Sequence, residues 1–345
     1  MRLPASKPAE QRGQTRDGVR LLVATTDGLA HARFSDLPRF LRAGDLLVVN
    51  TSATLAAAVD GHRSDGRPVT VHFSTPLDDG TWLTELRQTG PDRGRVTDAQ
   101  PGETVALPGD AALTLLFRYP DPAADRLWVA SITGLGDPDA RVDAGVEAYL
   151  AAHGRPIRYS YVPDQWPLSA YQTVFSRDPG SAEMPSAARP FTSDLVIDLI
   201  TTGVIIAPIT LHAGVASLEA SEQPLPERFS VPEPTARLVN LARSADRRVV
   251  AAGTTVTRAL ESAADTAGFV RASHGWTDLV LGAGHPARVV TGLITGWHDP
   301  EASHLALLEA VAGQALVKAA YAEAEKSGYL GHEFGDSCLL LPPLP

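Results

Sequence analysis

The chain has 345 residues, 44% apolar and 20% charged, which suits two domains or one elaborated domain and argues against global disorder. Its formal charge of −10 gives no overall attraction to phosphate backbones, and the arginines at Arg16, Arg20, Arg33, Arg39 and Arg42 read as a solvated face. A single cysteine, Cys338, excludes an internal disulfide and sits in the apolar run Cys338-Leu339-Leu340-Leu341, so a buried thiol is expected. The first residues lack a signal-peptide core, and the most apolar stretch, 195–209, is interrupted by Asp198, Gly203 and Pro208. The expected location is therefore the cytoplasm, with no membrane partner.

In chain order, Leu21-Leu22-Val23-Ala24 reads as a strand. Residues 35–43 read as a short helix closed by Gly44, and Leu46-Leu47-Val48-Val49 as a buried strand ending at Asn50-Thr51-Ser52. Five short strands follow, at 69–73, 82–86, 104–107, 113–117 and 127–131, separated by the turns Asp78-Asp79-Gly80 and Pro108-Gly109-Asp110. Such a run predicts a small antiparallel barrel or sandwich inserted between α/β units. A helix ending near Gly154 returns to the main domain. Helices are then expected over 192–202, 234–243, 254–267 and 301–326, alternating with strands beginning at Val204, Val249, Leu279 and Val289. The fold class expected is a mixed α/β domain, 1–60 and 150–345, carrying a barrel-like insertion, 61–149.

Three strands of this second half end on polar groups: His212-Ala213-Gly214, Gly253-Thr254-Thr255 and Gly296-Trp297-His298. Ligands of open α/β sheets bind at the carboxyl ends of strands, so these ends predict an active site. A strand-to-helix turn at Gly253-Thr254-Thr255 offers free N–H groups to an anion, with Arg258 one turn on. Imidazole is suited to proton transfer near neutral pH, which makes His212 and His298 candidate bases. His31, His62, His72, His153, His274 and His285 read as surface or packing residues. The chain contains no Cys-x-x-Cys, no His-Glu-x-x-His and no Walker-type loop, so neither a metal nor nucleotide triphosphate chemistry is expected. Gly282-Ala283-Gly284 lacks the third glycine of a dinucleotide fingerprint.

The blocks Arg16-Asp17, Gly44-Asp45-Leu46-Leu47-Val48-Val49-Asn50, Tyr171-Gln172-Thr173-Val174-Phe175, Thr210-Leu211-His212-Ala213-Gly214, Gly253-Thr254-Thr255 with Arg258 and Glu261, Leu293-Ile294-Thr295 with His298-Asp299-Pro300, and Gly335-Asp336 occur in this order. Together they resemble the S-adenosylmethionine:tRNA ribosyltransferase-isomerase family of queuosine biosynthesis. The resemblance implies an enzyme using S-adenosylmethionine as co-substrate. A base removes a ribose 5′-hydrogen made acidic by the sulfonium, adenine and methionine leave, and a rearranged ribosyl unit joins the amine of 7-aminomethyl-7-deazaguanine in tRNA. It further implies His212 or His298 as the base and Thr254, Thr255 and Arg258 as a carboxylate clamp. Tyr171, Phe191 or Trp297 would stack on adenine, Gln172 would join that S-adenosylmethionine site, and Asp336 would bind ribose hydroxyls. Asn50, Arg189 and Glu227 would lie on the acceptor side.

The chain also departs from the family pattern. Thr51-Ser52-Ala53 stands where the family reads Asp-Thr-Arg after Asn50, and Ala56-Ala57-Ala58 where it reads Pro-Ala-Arg. Pro185-Ser186-Ala187-Ala188-Arg189-Pro190-Phe191 and the block 222–227 have lost the family's histidines. These losses favour an acceptor other than that tRNA base, since cations and histidines make phosphate and base-edge contacts. Two alternatives therefore stand beside the family activity: action on a small-molecule acceptor or as an S-adenosylmethionine lyase, and a non-catalytic S-adenosylmethionine sensor.

Overall fold

The computed structural model describes residues 3–90, 94–135, 142–159, 162, 164–215, 225–299 and 304–344. Strands β1 (Arg20–Thr25) and β2 (Gly28–Arg33) form a hairpin, and β3 (Leu46–Asn50) follows a 3₁₀ turn, Phe34–Arg39. After the short β4 (Ser52–Thr54) come six strands: β5 (Ala58–Arg63), β6 (Pro68–Pro76), β7 (Trp82–Gln88), β8 (Thr104–Ala106), β9 (Ala112–Tyr119) and β10 (Leu127–Thr133). They close into an antiparallel barrel in the order β10-β7-β6-β5-β8-β9. The insertion is thus a barrel, as expected, with one strand more than the five read from sequence. β5 was hidden because Ala58-Val59-Asp60-Gly61-His62-Arg63 alternates buried and exposed residues and carries a glycine and three polar groups.

Helix α1 (Val142–His153) leads back to the main domain, where β11 (Asp178–Ser181) pairs with β4. Then follow α2 (Ser193–Thr201), β12 (Ile205–Leu211), β13 (Glu227–Val231), α3 (Glu233–Ser244), β14 (Val249–Ala252), α4 (Thr254–Ser262) and β15 (Ser273–Thr277). The described chain ends with β16 (Gly292–Gly296), α5 (His304–Ala312), α6 (Gln314–Lys326) and β17 (Ser337–Leu341). Nine strands make one sheet in the order β15-β13-β12-β3-β14-β16-β17-β1-β2. Its centre is parallel: β12, β3, β14 and β16 run the same way, so their carboxyl ends fall on one edge.

The central strands are apolar without alternation because both faces are covered. Leu46, Val48, Val249, Ala251 and Leu293 pack under α3–α6, whereas Leu47, Val49, Val250, Ala252 and Ile294 pack with α2 and the 3₁₀ turn. Three expectations are corrected. The long helix over 301–326, whose first residues lie outside those described, is two helices broken at Gly313, whose φ of +80° no ordinary helix residue adopts. Leu279-Val280-Leu281 is not a strand, the ladder running through Ser273–Thr277 instead, and the strand expected from Val289 forms only from Gly292, as Gly292–Gly296. Helix α4 stops at Ser262, short of 267. Among the described residues no helix is long and apolar enough to cross a membrane.

Candidate functional site

Four parallel strands deliver their next residues to the same edge: Thr51-Ser52 from β3, His212 from β12, Gly253-Thr254 from β14 and Trp297-His298 from β16. Asn50 joins the middle of this row. Its buried amide donates to Leu211 O at 2.8 Å and accepts from Leu211 N and Ser52 N at 3.0 Å, and Nδ2 also reaches Thr255 Oγ1 at 3.3 Å. It therefore ties the end of β12 to the start of α4.

His212 is half-buried and held on one side. Nδ1 lies 2.7 Å from Ser52 Oγ, which is 2.6 Å from Ser181 Oγ, and Ser181 Oγ accepts Ala213 N–H at 3.0 Å. Gly180 presses on the ring: a Cβ there would lie 2.5 Å from Nδ1, and its φ of +151° suits glycine. Burial pushes the imidazole below its ordinary pKa; the Asp178 carboxylate works against this and Arg228 with it. The ring is thereby kept neutral, facing a cleft of about 400 Å³ that it shares with Thr210, Arg228, Ser230, His274 and Trp276.

His298 lies elsewhere on the edge. With β3 and β14 between their strands, the two histidines are separated by three strand spacings, roughly 14 Å. His298 is stacked between His304, at 4.3 Å between ring centres, and His332, at 4.8 Å. Burial and the two neighbouring imidazoles hold it well below the usual range, and burial takes His332 down to about 3. His332 Nδ1 lies 3.1 Å from Ser186 Oγ.

Helix α4 begins at Gly253 with no side-chain cap, leaving its first amides to the edge beside Thr254 and Thr255. Arg258 does not face them. Its guanidinium is 6% exposed and donates to Leu279 O, Thr277 O and Leu225 O and to the Glu227 carboxylate. Glu227 also accepts Gly214 N–H at 3.3 Å, and burial raises its pKa against the pull of Arg258. The expected clamp is a buried tie beneath the site: one turn of helix carries Arg258 down onto Leu225 O, just before β13, and onto Thr277 O and Leu279 O at and beyond the end of β15.

The remaining expected residues are occupied in the same manner. Asp336 accepts from Arg20 N, Arg20 Nε and Leu330 N at 2.9–3.0 Å, which fills both oxygens. Arg189 is 3% exposed, donating to Ala170 O and pairing with Glu10 at 2.9 Å. The Gln172 amide bonds Thr54 on both sides, at 3.0 and 2.8 Å. Tyr171 packs edge-on to Phe334, Phe191 to Phe34, and Trp297 to Tyr321 and Tyr329, all buried, so none offers an open ring. Of the expected residues the structure gathers His212, Asn50, Thr254 and Thr255. Sequence reasoning missed Ser52, Ser181 and Asp178, which β4 and β11 bring to His212, as well as His304 and His332. The Asn50-x-Ser52 spacing at a strand end was the one local signal. Among the described residues no group of three or more His, Cys, Asp or Glu is placed to hold a metal.

Residues 1–340 match the family model described as queuosine biosynthesis protein. Similar proteins include the S-adenosylmethionine:tRNA ribosyltransferase-isomerase of Acidiphilium cryptum, 34% identical, with 98% of this chain and 96% of the relative covered. That of Thermus thermophilus is 33% identical, with 98% and 97% covered. The crystal structure of S-adenosylmethionine tRNA ribosyltransferase from Thermotoga maritima has the same fold, with a TM-score of 0.51 at 24% identity over 98% of this chain and 96% of that one. Matched along almost its whole length by the family model and a third identical to these relatives end to end, the chain belongs to the S-adenosylmethionine:tRNA ribosyltransferase-isomerase family of queuosine biosynthesis.

Proposed function

We propose that the chain is a ribosyltransferase-isomerase that uses S-adenosylmethionine and modifies tRNA in queuosine biosynthesis, and that the edge between His212 and Thr255 is its active site. The observation that carries this reading is a one-sidedly held imidazole two strands from an uncapped helix start, in a chain a third identical to enzymes of that name. The α4 amides with Thr254 and Thr255 take the methionine carboxylate, which benefits from free N–H groups and the helix dipole. His212 acts as base. In the competent tautomer Nδ1–H donates to Ser52 Oγ, whose own hydrogen goes to Ser181, leaving the Nε2 lone pair toward the cleft. The 5′ C–H bond breaks, the proton goes to Nε2 and the electron pair stays on the carbon beside the sulfonium. Adenine and methionine then leave with the electron pairs of their bonds to the ribosyl unit, adenine taking up the proton held on Nε2, and an acceptor amine forms the new C–N bond as its own proton passes to the freed imidazole.

A second reading, with a different acceptor, is supported by the Thr51 and Ser52 positions. They carry neutral hydroxyls already engaged by Asp178, Thr210 and His212, and Arg189 is tied to Glu10. The deciding experiment incubates the protein with S-adenosylmethionine and tRNA bearing 7-aminomethyl-7-deazaguanine, then weighs the released small molecules and the digested nucleosides. Adenine release with a heavier nucleoside is the expected result. Adenine without it establishes the second reading or a lyase, and S-adenosylmethionine binding without adenine release establishes a sensor.

A further inference from the structure

Strands β12, β13 and β15 set six side chains in two rows on one face. Their register places Thr210 opposite Ser230 and Ser230 opposite His274. Two residues along, His212 N donates to Arg228 O at 3.0 Å, and Arg228 stands opposite Trp276. Side chains alternate between faces with a period of two, so Thr210-Ser230-His274 and His212-Arg228-Trp276 form adjacent rows on the same face. All six border the cleft.

The second row is held flat from above. Asp78, in the turn between β6 and β7 of the barrel, accepts from Trp276 Nε1 at 3.0 Å and from the Arg228 guanidinium. The guanidinium carbon lies 5.2 Å from the indole centre. None of this is core packing: the Asp78 side chain is 74% exposed, Arg228 is 37% exposed, and His274 is exposed. An indole, a guanidinium and an imidazole present flat surfaces, and Thr210 and Ser230 supply hydroxyls that donate or accept at a ring edge. A cleft of about 400 Å³ falls within the range of small-ligand sites. Open aromatic and guanidinium planes with hydroxyls at the rim are what unstacked nucleobases are bound by.

We propose that this face is a nucleobase subsite which receives the purine-type base of the acceptor beside His212. The inference rests on the function proposed above and gives its acceptor a place. Two bases take part in that reaction, adenine and the acceptor base, and position separates them. The helix start that suits the methionine carboxylate lies on the far side of β3 from the cleft, whereas β15 is the outermost strand of the sheet, open to a nucleotide arriving on a polymer. His212 stands between the two, where the ribosyl unit has to pass from one to the other.

Trp276→Ala tests the subsite, with Trp276→Phe retaining a flat ring should the alanine variant fold poorly. In Trp276→Ala the KM for tRNA bearing the modified base is expected to rise roughly ten- to a hundredfold, with S-adenosylmethionine affinity unchanged and most of the loss recovered in Trp276→Phe. A weakened S-adenosylmethionine affinity with an unchanged acceptor KM would place adenine on this face and overturn the assignment. Unchanged values for both in a variant with wild-type Tm would remove the subsite altogether. Calorimetric binding of the modified nucleoside to wild type and Trp276→Ala reads the subsite directly. If wild type releases no adenine, the proposed reaction fails, while equal nucleoside affinity for the two proteins would defeat the subsite separately.

Discussion

An imidazole that takes a proton from carbon has to be uncharged and held still, and His212 meets the two conditions by different means. Burial lowers its pKa, while Ser52 on Nδ1 and Gly180 against the ring fix its orientation. Replacing it with glutamine is expected to slow adenine release by roughly 10²–10⁴ with S-adenosylmethionine affinity retained. His298→Gln should cost far less, because the His298 ring is enclosed between His304 and His332 three strand spacings away. A base with a lowered pKa stays competent in mild acid, so the acid limb of kcat/KM for adenine release should lie below the ordinary histidine value of 6.5. A limb at or above that value would assign the proton transfer to another group. The residue types that could take a proton were legible in the sequence, and so was their arrival at strand ends. Their partners were not, because Ser181 and Asp178 come from a strand more than 120 residues beyond Ser52.

At the scale of elements, the strands easiest to read were β3 and β14, buried on both faces, whose apolar runs have no polar interruption before their ends. Strands that alternate or lie at an edge escaped notice: β2 is exposed along its length, and β13 reads Glu-Arg-Phe-Ser-Val, with polar residues on the cleft face. That alternation hid the cleft face, whereas His274, read from the sequence as a surface or packing residue, is exposed at the cleft's rim. Arg258 shows the opposite failure, a residue rightly placed one turn along its helix and assigned the wrong task. Its guanidinium joins α4 to β13 through Glu227 and to three backbone carbonyls. Arg258→Met leaves a buried carboxylate without its cation, and removal of one partner of such a pair costs about 3–5 kcal/mol. The expected result is a Tm lowered by several degrees, partly restored in Arg258→Met/Glu227→Leu. S-adenosylmethionine affinity should persist in the folded fraction, and calorimetry on that fraction checks it. Selective loss of affinity at unchanged Tm would return the guanidinium to the role of clamp.

Across the whole molecule, the three stacked imidazoles tie β16, α5 and the segment before β17 into a unit that tolerates little charge. All three have folded pKa values depressed below 6.5, so the unfolded chain binds more protons than the folded one in mild acid. Their contribution is complete above pH 6.5 and is lost as pH falls toward the folded values, about 3 for His332, with each pKa unit worth about 1.4 kcal/mol. Thermal melts from pH 7 to pH 5, where carboxylates stay largely ionised, should show a falling Tm, and His332→Phe should flatten that slope. An equal slope in the variant would show that the stack does not govern acid stability. The strand order of the sheet bears on synthesis as well. β1 meets the rest of the sheet only through β17, with Leu21 beside Ser337, so its hairpin with β2 has no neighbour to lie against until some 300 further residues have been made. At ordinary translation rates that interval is roughly 15–60 s. An isolated hairpin is barely stable in water, so over that interval β1 and β2 lack the in-sheet partner that covers the free edge of β1.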